Sequence, residues 1–132
     1  MLGKINATVL IVKDLEAARS FYGDTIGLDV LFEDDVSTGY KMADHDFLVL
    51  QEKAAAEMMS ADDVGIGTEG AHRVLMCAEV KNVDETYQQL LDKGVNCIKA
   101  PKSQDWGRRT AYFKDPEGNL WELYHHLPED AS

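Results

Sequence analysis

Few side chains in this sequence are equipped for chemistry, and most of those stand singly. Cys77 and Cys97 are the only cysteines. Each is flanked by apolar residues in a strand-like stretch, with no CxxC partner and no neighbouring cation to lower a thiol pKa, so both read as reduced core thiols. His125 and His126 are adjacent, and adjacent residues of a strand point to opposite faces, so they do not form a ligand pair. Glu122 is different, because it interrupts the apolar run Leu120-Trp-Glu-Leu-Tyr. A carboxylate so placed can receive a cationic group of a ligand, act as a general base, or bridge internally to Arg73 or Arg109. A base alone lacks an evident electrophilic partner, which ranks catalysis below the other two. Trp106, Tyr112, Phe113, Tyr22, Tyr40 and Tyr124 supply aromatic surface able to clamp a planar or cationic molecule. Most of these rings read as core. Trp106 is the exception, since it precedes Gly107 after the polar loop Lys102-Ser-Gln-Asp and is expected at a cavity mouth.

These residues sit in a chain of 132 residues that is 45% hydrophobic. A chain of this length buries roughly two thirds of its unfolded surface, enough for one core. The formal charge of −11 disfavours nucleic acid and anionic lipid, which need basic patches, and favours a cationic ligand where it favours any. The N-terminus Met1-Leu-Gly-Lys-Ile-Asn meets charge and amide at once, and no apolar run approaches the ~20 residues of a membrane span. A cytoplasmic location is expected.

The elements that must position the candidates come as an internal repeat. Val12-Lys-Asp-Leu leads through a helical pattern to Gly27-Leu-Asp-Val, and Val80-Lys-Asn-Val leads through another to Gly94-Val-Asn-Cys. Asn82 follows Asp14 by 68 residues and Gly94 follows Gly27 by 67. That period is too long for a solenoid and suits two copies of one supersecondary module. Each copy opens with a β-rich run, residues 5–12 and 73–80, followed by a helix N-cap at Asp14 or Asn82. Leu15, Ala18 and Tyr22, then Val83, Tyr87, Leu90 and Leu91, recur at helical spacing, and Gly27 and Gly94 stand where the helices need left-handed backbone. Three strands follow in each half, expected at 29–33, 38–43 and 47–52, then at 96–99, 109–113 and 120–125. The fold class expected is therefore α+β, as a single domain of two tandem β-α-β-β-β modules. Module one spans about 4–52 and module two about 71–126. Residues 53–70 read as a linker with one helical turn at 54–59, and 127–132 as a frayed tail.

The stretch from Trp106 to Leu123 reads as a hairpin in which Pro116 presets φ and Gly118 supplies positive φ. With the two helix entries and the duplicated layout, it resembles the closing hairpin of the vicinal oxygen chelate superfamily, which groups glyoxalase I, extradiol dioxygenases, fosfomycin-resistance transferases and bleomycin-resistance proteins. The resemblance covers nearly all of residues 5–125. It implies curved sheets enclosing one small-molecule cavity, often completed in a homodimer. In the metal-dependent members, an inward residue on the first and last strand of each module holds a divalent ion. On this sequence those positions fall at Ala7, Leu75, Glu122 and either Leu48 or Leu50. One ligand of four survives, and His72, three residues from Leu75, points to the opposite face. No cofactor is expected on this reading; a divalent metal belongs to the rival one.

Strand parity then gives a cavity lining. Leu75, Cys77 and Glu79 share a face with Arg73, opposite the wholly apolar Val74, Met76, Ala78 and Val80. Leu120, Glu122 and Tyr124 face inward on the last strand, and Ala7, Val9 and Ile11 on the first. The expected ligand site is Glu122, Trp106, Tyr124, Arg73, Leu75, Cys77, Leu120 and Arg109. The function implied is that of a metal-free protein similar to bleomycin-resistance proteins, sequestering a small, cationic aromatic ligand. The rival is a metal-dependent lyase, isomerase or dioxygenase. A third possibility is an interaction module whose cavity is filled by its own side chains.

Overall fold

The computed structural model describes residues 1, 3, 7–58, 60, 61, 64 and 74–129. The chain forms two compact units, Met1–Glu69 and Gly70–Ser132, each with its own four-stranded sheet.

In the first unit, strand β1 (Ala7–Val12) leads to Asp14, whose carboxylate accepts the Ala17 N–H at 3.0 Å and starts helix α1 (Leu15–Arg19). The helix is shorter than the periodicity suggests, because at Ser20–Thr25 it widens into a π-helical turn in which the Ile26 N–H reaches the Phe21 carbonyl at 2.8 Å. The wider turn buries two consecutive aromatics, Phe21 and Tyr22, edge to face at 5.0 Å. Tyr22 in turn packs edge-on against Phe47, with Tyr40 alongside. Gly27, at φ 84°, ends the segment as expected. Strands β2 (Val30–Glu33), β3 (Ser37–Met42) and β4 (His45–Gln51) follow, and β1 joins the sheet parallel to β4 in the order β1-β4-β3-β2. Where a single helical turn is expected after β4, helix α2 runs over Glu52–Met58 and buries Ala55.

The Arg19 guanidinium ties the β2–β3 turn to the helix. It donates to Thr38 Oγ1 at 2.7 Å, to the Ser37 carbonyl at 3.1 Å and to the Asp34 carbonyl, and it pairs with Glu16 and Glu33.

The second unit repeats the plan with strand β5 (Leu75–Glu79), helix α3 (Val83–Asp92), and strands β6 (Asn96–Ser103), β7 (Arg108–Lys114) and β8 (Leu120–His126), in the order β5-β8-β7-β6. Asn82 caps α3, accepting the Glu85 N–H at 3.1 Å. At the other end Gly94, φ 78°, closes a Schellman turn, with its N–H on the Leu91 carbonyl and the Val95 N–H on that of Leu90. Strand β6 runs four residues past its expected end at Lys99, at the cost of two register shifts against β7. The β7–β8 turn has Gly118 at φ 85°, and the buried Asp115 carboxylate accepts the N–H groups of Glu117 and Asn119. The architecture is thus α+β with two tandem β-α-β-β-β modules, as expected.

Candidate functional site

Two faces of the second sheet can be told apart by what α3 touches. Asp84, in the first turn of α3, receives Arg109, and the Val83 N–H donates to His125 Nδ1 at 2.9 Å. Phe113 and Trp121 stack on that side with ring centroids 5.9 Å apart. Odd-numbered residues of β7 and β8 therefore lie on the helix face. Arg108, Thr110 and Tyr112 of β7 and Leu120, Glu122 and Tyr124 of β8 lie on the other. Pairing registers add Leu75 beside Leu120, Cys77 beside Glu122, and Glu79 beside Tyr124.

On this far face the side chains form rows. In one, Cys77, Glu122 and Tyr112 stand abreast. Glu122 is buried at 7% exposure, and its Oε1 accepts the Tyr112 hydroxyl at 2.6 Å. The Cys77 thiol stands beside this carboxylate in the ladder. Lost hydration is the main force pushing the Cys77 thiol up, with the neighbouring Glu122 adding to it and Arg108 partly offsetting it. Burial and the Glu122 bond likewise push the Tyr112 phenol up. Both groups hold their protons at neutral pH, and the phenol serves Glu122 as a donor. In the neighbouring rows, the Arg108 guanidinium lies 4.1 Å from the centre of the Tyr124 ring, a cation–π contact.

The sequence-based lining is largely gathered here, with four amendments. Arg109 is not part of the site: parity turns it to the helix face, where it grips Asp84 with two bonds of 2.7 and 2.8 Å and Ser103 Oγ with one of 3.1 Å. The internal hydrogen-bond partner of Glu122 is accordingly a neutral phenol. Cys77 is exposed on the far face and is not a core thiol, while Cys97 is partly buried. Trp106 is 65% exposed in the β6–β7 turn, near the Arg108 end of the sheet. Arg73 and His72 lie outside the described residues.

Sequence reasoning missed Arg108 altogether and counted Tyr112 only as a ring. The signal was in the hairpin: a turn at Asp115–Asn119 pairs Lys114 with Leu120 and so sets Tyr112 opposite Glu122.

The pattern of the glyoxalase/bleomycin resistance protein/dioxygenase superfamily matches residues 4–123. The chain belongs to this superfamily. It is 30% identical over 119 residues to YraH of Bacillus subtilis strain 168, an uncharacterized protein, covering 87% of this chain and 92% of YraH. It is 27% identical over 124 residues to the metallothiol transferase FosB of Staphylococcus saprophyticus, covering 94% of this chain and 78% of FosB. Its fold matches that of a glyoxalase/bleomycin resistance protein/dioxygenase from Nocardioides, with a TM-score of 0.84 at 20% identity over 98% of this chain and 87% of that one. A superfamily enzyme from Burkholderia phytofirmans matches with a TM-score of 0.81 at 18% identity, over 95% of this chain and all of that one.

The strand registers decide which leucine answers to Glu122 in the first unit. Glu122 pairs with Cys77, and Cys77 corresponds to Val9 in the repeat; Val9 pairs with Leu48. The four positions that bear a metal in metal-dependent members of the superfamily are therefore Ala7, Leu48, Leu75 and Glu122. Three of these side chains offer no lone pair, and the fourth already accepts the Tyr112 phenol. Among the described residues, no group of three or more His, Cys, Asp or Glu could hold a metal ion. This donor set does not fit a divalent cation, which takes several convergent ligands.

Proposed function

We propose that this chain is a metal-independent binding protein of its superfamily, acting by sequestration in the manner of bleomycin-resistance proteins. It holds a small organic ligand on the far face of the second sheet. The observation that carries this reading is Glu122, a buried carboxylate whose donor within the protein is the neutral Tyr112 phenol and which keeps spare acceptor capacity. A cationic or N–H group of the ligand meets Glu122. A planar part packs over Tyr124 and Arg108, some 7 Å further along the strand by ordinary strand rise. A cytoplasmic homodimer is the form in which we expect it to act, with no nucleic acid or membrane as partner.

Calorimetric titration with bleomycin and with simpler cationic aromatic compounds tests the reading. Saturable binding that Glu122→Gln weakens about tenfold supports it, this being a typical loss for one charge-assisted contact. Absence of saturable binding to any of them overturns it.

The likeness to FosB favours a second reading, in which the chain is a metal-dependent transferase. Ala7, Leu48 and Leu75 weigh against it. Elemental analysis of protein purified without chelators separates the two, since a stoichiometric transition metal would establish the second.

A further inference from the structure

A pocket of about 280 Å³ opens in the first unit among α1, the π-helical turn and strands β2 and β3. Its walls carry Glu16, Arg19, Asp24 and Glu33, with Gly23 and Tyr40 between them. Because the Tyr40 ring packs with Tyr22 and Phe47, the pocket lies on the helix face of its sheet, opposite the strand face that bears Phe32 and Leu48.

Arg19 is largely engaged. Its guanidinium gives four of its five N–H groups to Glu16, Thr38 with Glu33, and the carbonyls of Asp34 and Ser37, which leaves an anion a single Nη1 donor. The pocket wall still carries three carboxylates against that one guanidinium. Two polar groups are unspent. Asp24 has no ion-pair or hydrogen-bond partner among the described residues. The Tyr40 hydroxyl has none either among them, in a residue that is 1% exposed and lines the opening. Burial pushes this phenol up, and the charges of Glu33 and Asp24 add to the effect against that of Arg19, so it is neutral and its oxygen is free to accept. A hydroxyl at the edge of an opening with no protein partner offers a lone pair that a ligand donor can fill. Gly23 keeps the way clear: a Cβ there would stand 3.9 Å from the phenol oxygen, and any longer side chain would cover it.

The geometry points to this pocket as a second binding site, distinct from the Glu122 face, for a small organic ammonium. The ammonium has three donors and one positive charge, which match the Tyr40 oxygen, the Asp24 carboxylate and the acidic rim. Val30, also on the wall, gives a short alkyl chain an apolar surface. An anion would meet three carboxylates. A bare metal ion would lack the convergent donor set, since no such cluster exists among the described residues. The volume is at the small end of the range for ligand pockets, which favours an aliphatic amine over a large aromatic cation.

The test is titration of isotope-labelled protein with 1,4-diaminobutane, followed by backbone amide shifts, with n-butanol and butyrate as neutral and anionic comparators. Saturable shifts centred on Ser20–Thr25 and β3 are expected for the diamine alone. Asp24→Asn should weaken binding about tenfold and Tyr40→Phe about fivefold, the usual cost of a charged and a neutral contact. Asp24 is exposed, so its variant remains informative even if Tyr40→Phe unsettles the fold. Glu122→Gln should leave this binding unchanged, which separates the site from the one proposed on the second sheet. Equal shifts with n-butanol, no saturation, or full affinity in Asp24→Asn would overturn the proposal.

Discussion

Across the β7–β8 pair, Tyr112 places its hydroxyl 2.6 Å from Glu122 Oε1. The bond joins directly opposed residues of an antiparallel ladder, so both side chains rise from the same face and need little rotamer freedom to meet. An arginine in this role would neutralise the carboxylate. A phenol leaves its charge in place while relieving part of its lost hydration.

Tyr112→Phe keeps the ring and deletes the donor. It is expected to destabilise the protein by about 1.5–3 kcal/mol in urea unfolding at pH 7, the range for a hydrogen bond to a charged group. Combined with Glu122→Gln in a double-mutant cycle, the two losses should be less than additive. Strict additivity would show that the pair does not interact.

Acid should weaken the fold through two exposed aspartates. The Arg109 hydrogen bond holds the Asp84 carboxyl below its ordinary value of 3.8, and backbone and hydroxyl donors at Val36 and Ser37 do the same for Asp34. A carboxyl whose folded pKa is depressed stabilises the protein above its unfolded pKa. That stabilisation is lost as pH falls through 3.8 toward the folded value. Thermal melts between pH 6 and pH 2.5 should show Tm falling at the acid end, with Asp84→Asn and Asp34→Asn each flattening the fall. Unchanged slopes in both variants would remove these groups as its cause.

The repeat was legible because its signals are local. Asp14 and Asn82 accept the N–H groups their helix starts leave over, and Gly27, Gly94 and Gly118 take the positive φ that the flanking pattern requires. The facing of Leu75, Cys77, Glu122 and Tyr124 followed from parity alone. What parity could not supply was partner choice. Parity places Arg109 on the helix face and Arg108 on the other, but that Arg109 meets Asp84 follows only from where α3 docks, and that Arg108 lies over Tyr124 only from the ladder register. The π-helical turn was equally hidden, since it answers the need to bury both Phe21 and Tyr22 against a sheet whose rings come from β3 and β4.

Cys77 reports on the Glu122 site without any ligand. Its residue is exposed, yet lost hydration and the Glu122 carboxylate together lift the thiol above its ordinary 9.0. Thiolate is the reactive form, so alkylation by iodoacetamide should be slow at pH 7 and rise about tenfold per pH unit up to pH 8.5. Peptide mapping should find Cys77 modified before Cys97, which is less accessible and whose thiol burial also raises. Glu122→Gln removes the negative charge and the anionic acceptor, both of which oppose ionisation, so the Cys77 rate at fixed pH should increase in that variant. The Cys97 rate should stay as it was, since its thiol is raised by burial alone. An unchanged Cys77 rate would mean that the thiol and the carboxylate are not coupled, and the row of Cys77, Glu122 and Tyr112 would then reduce to the phenol and the acid.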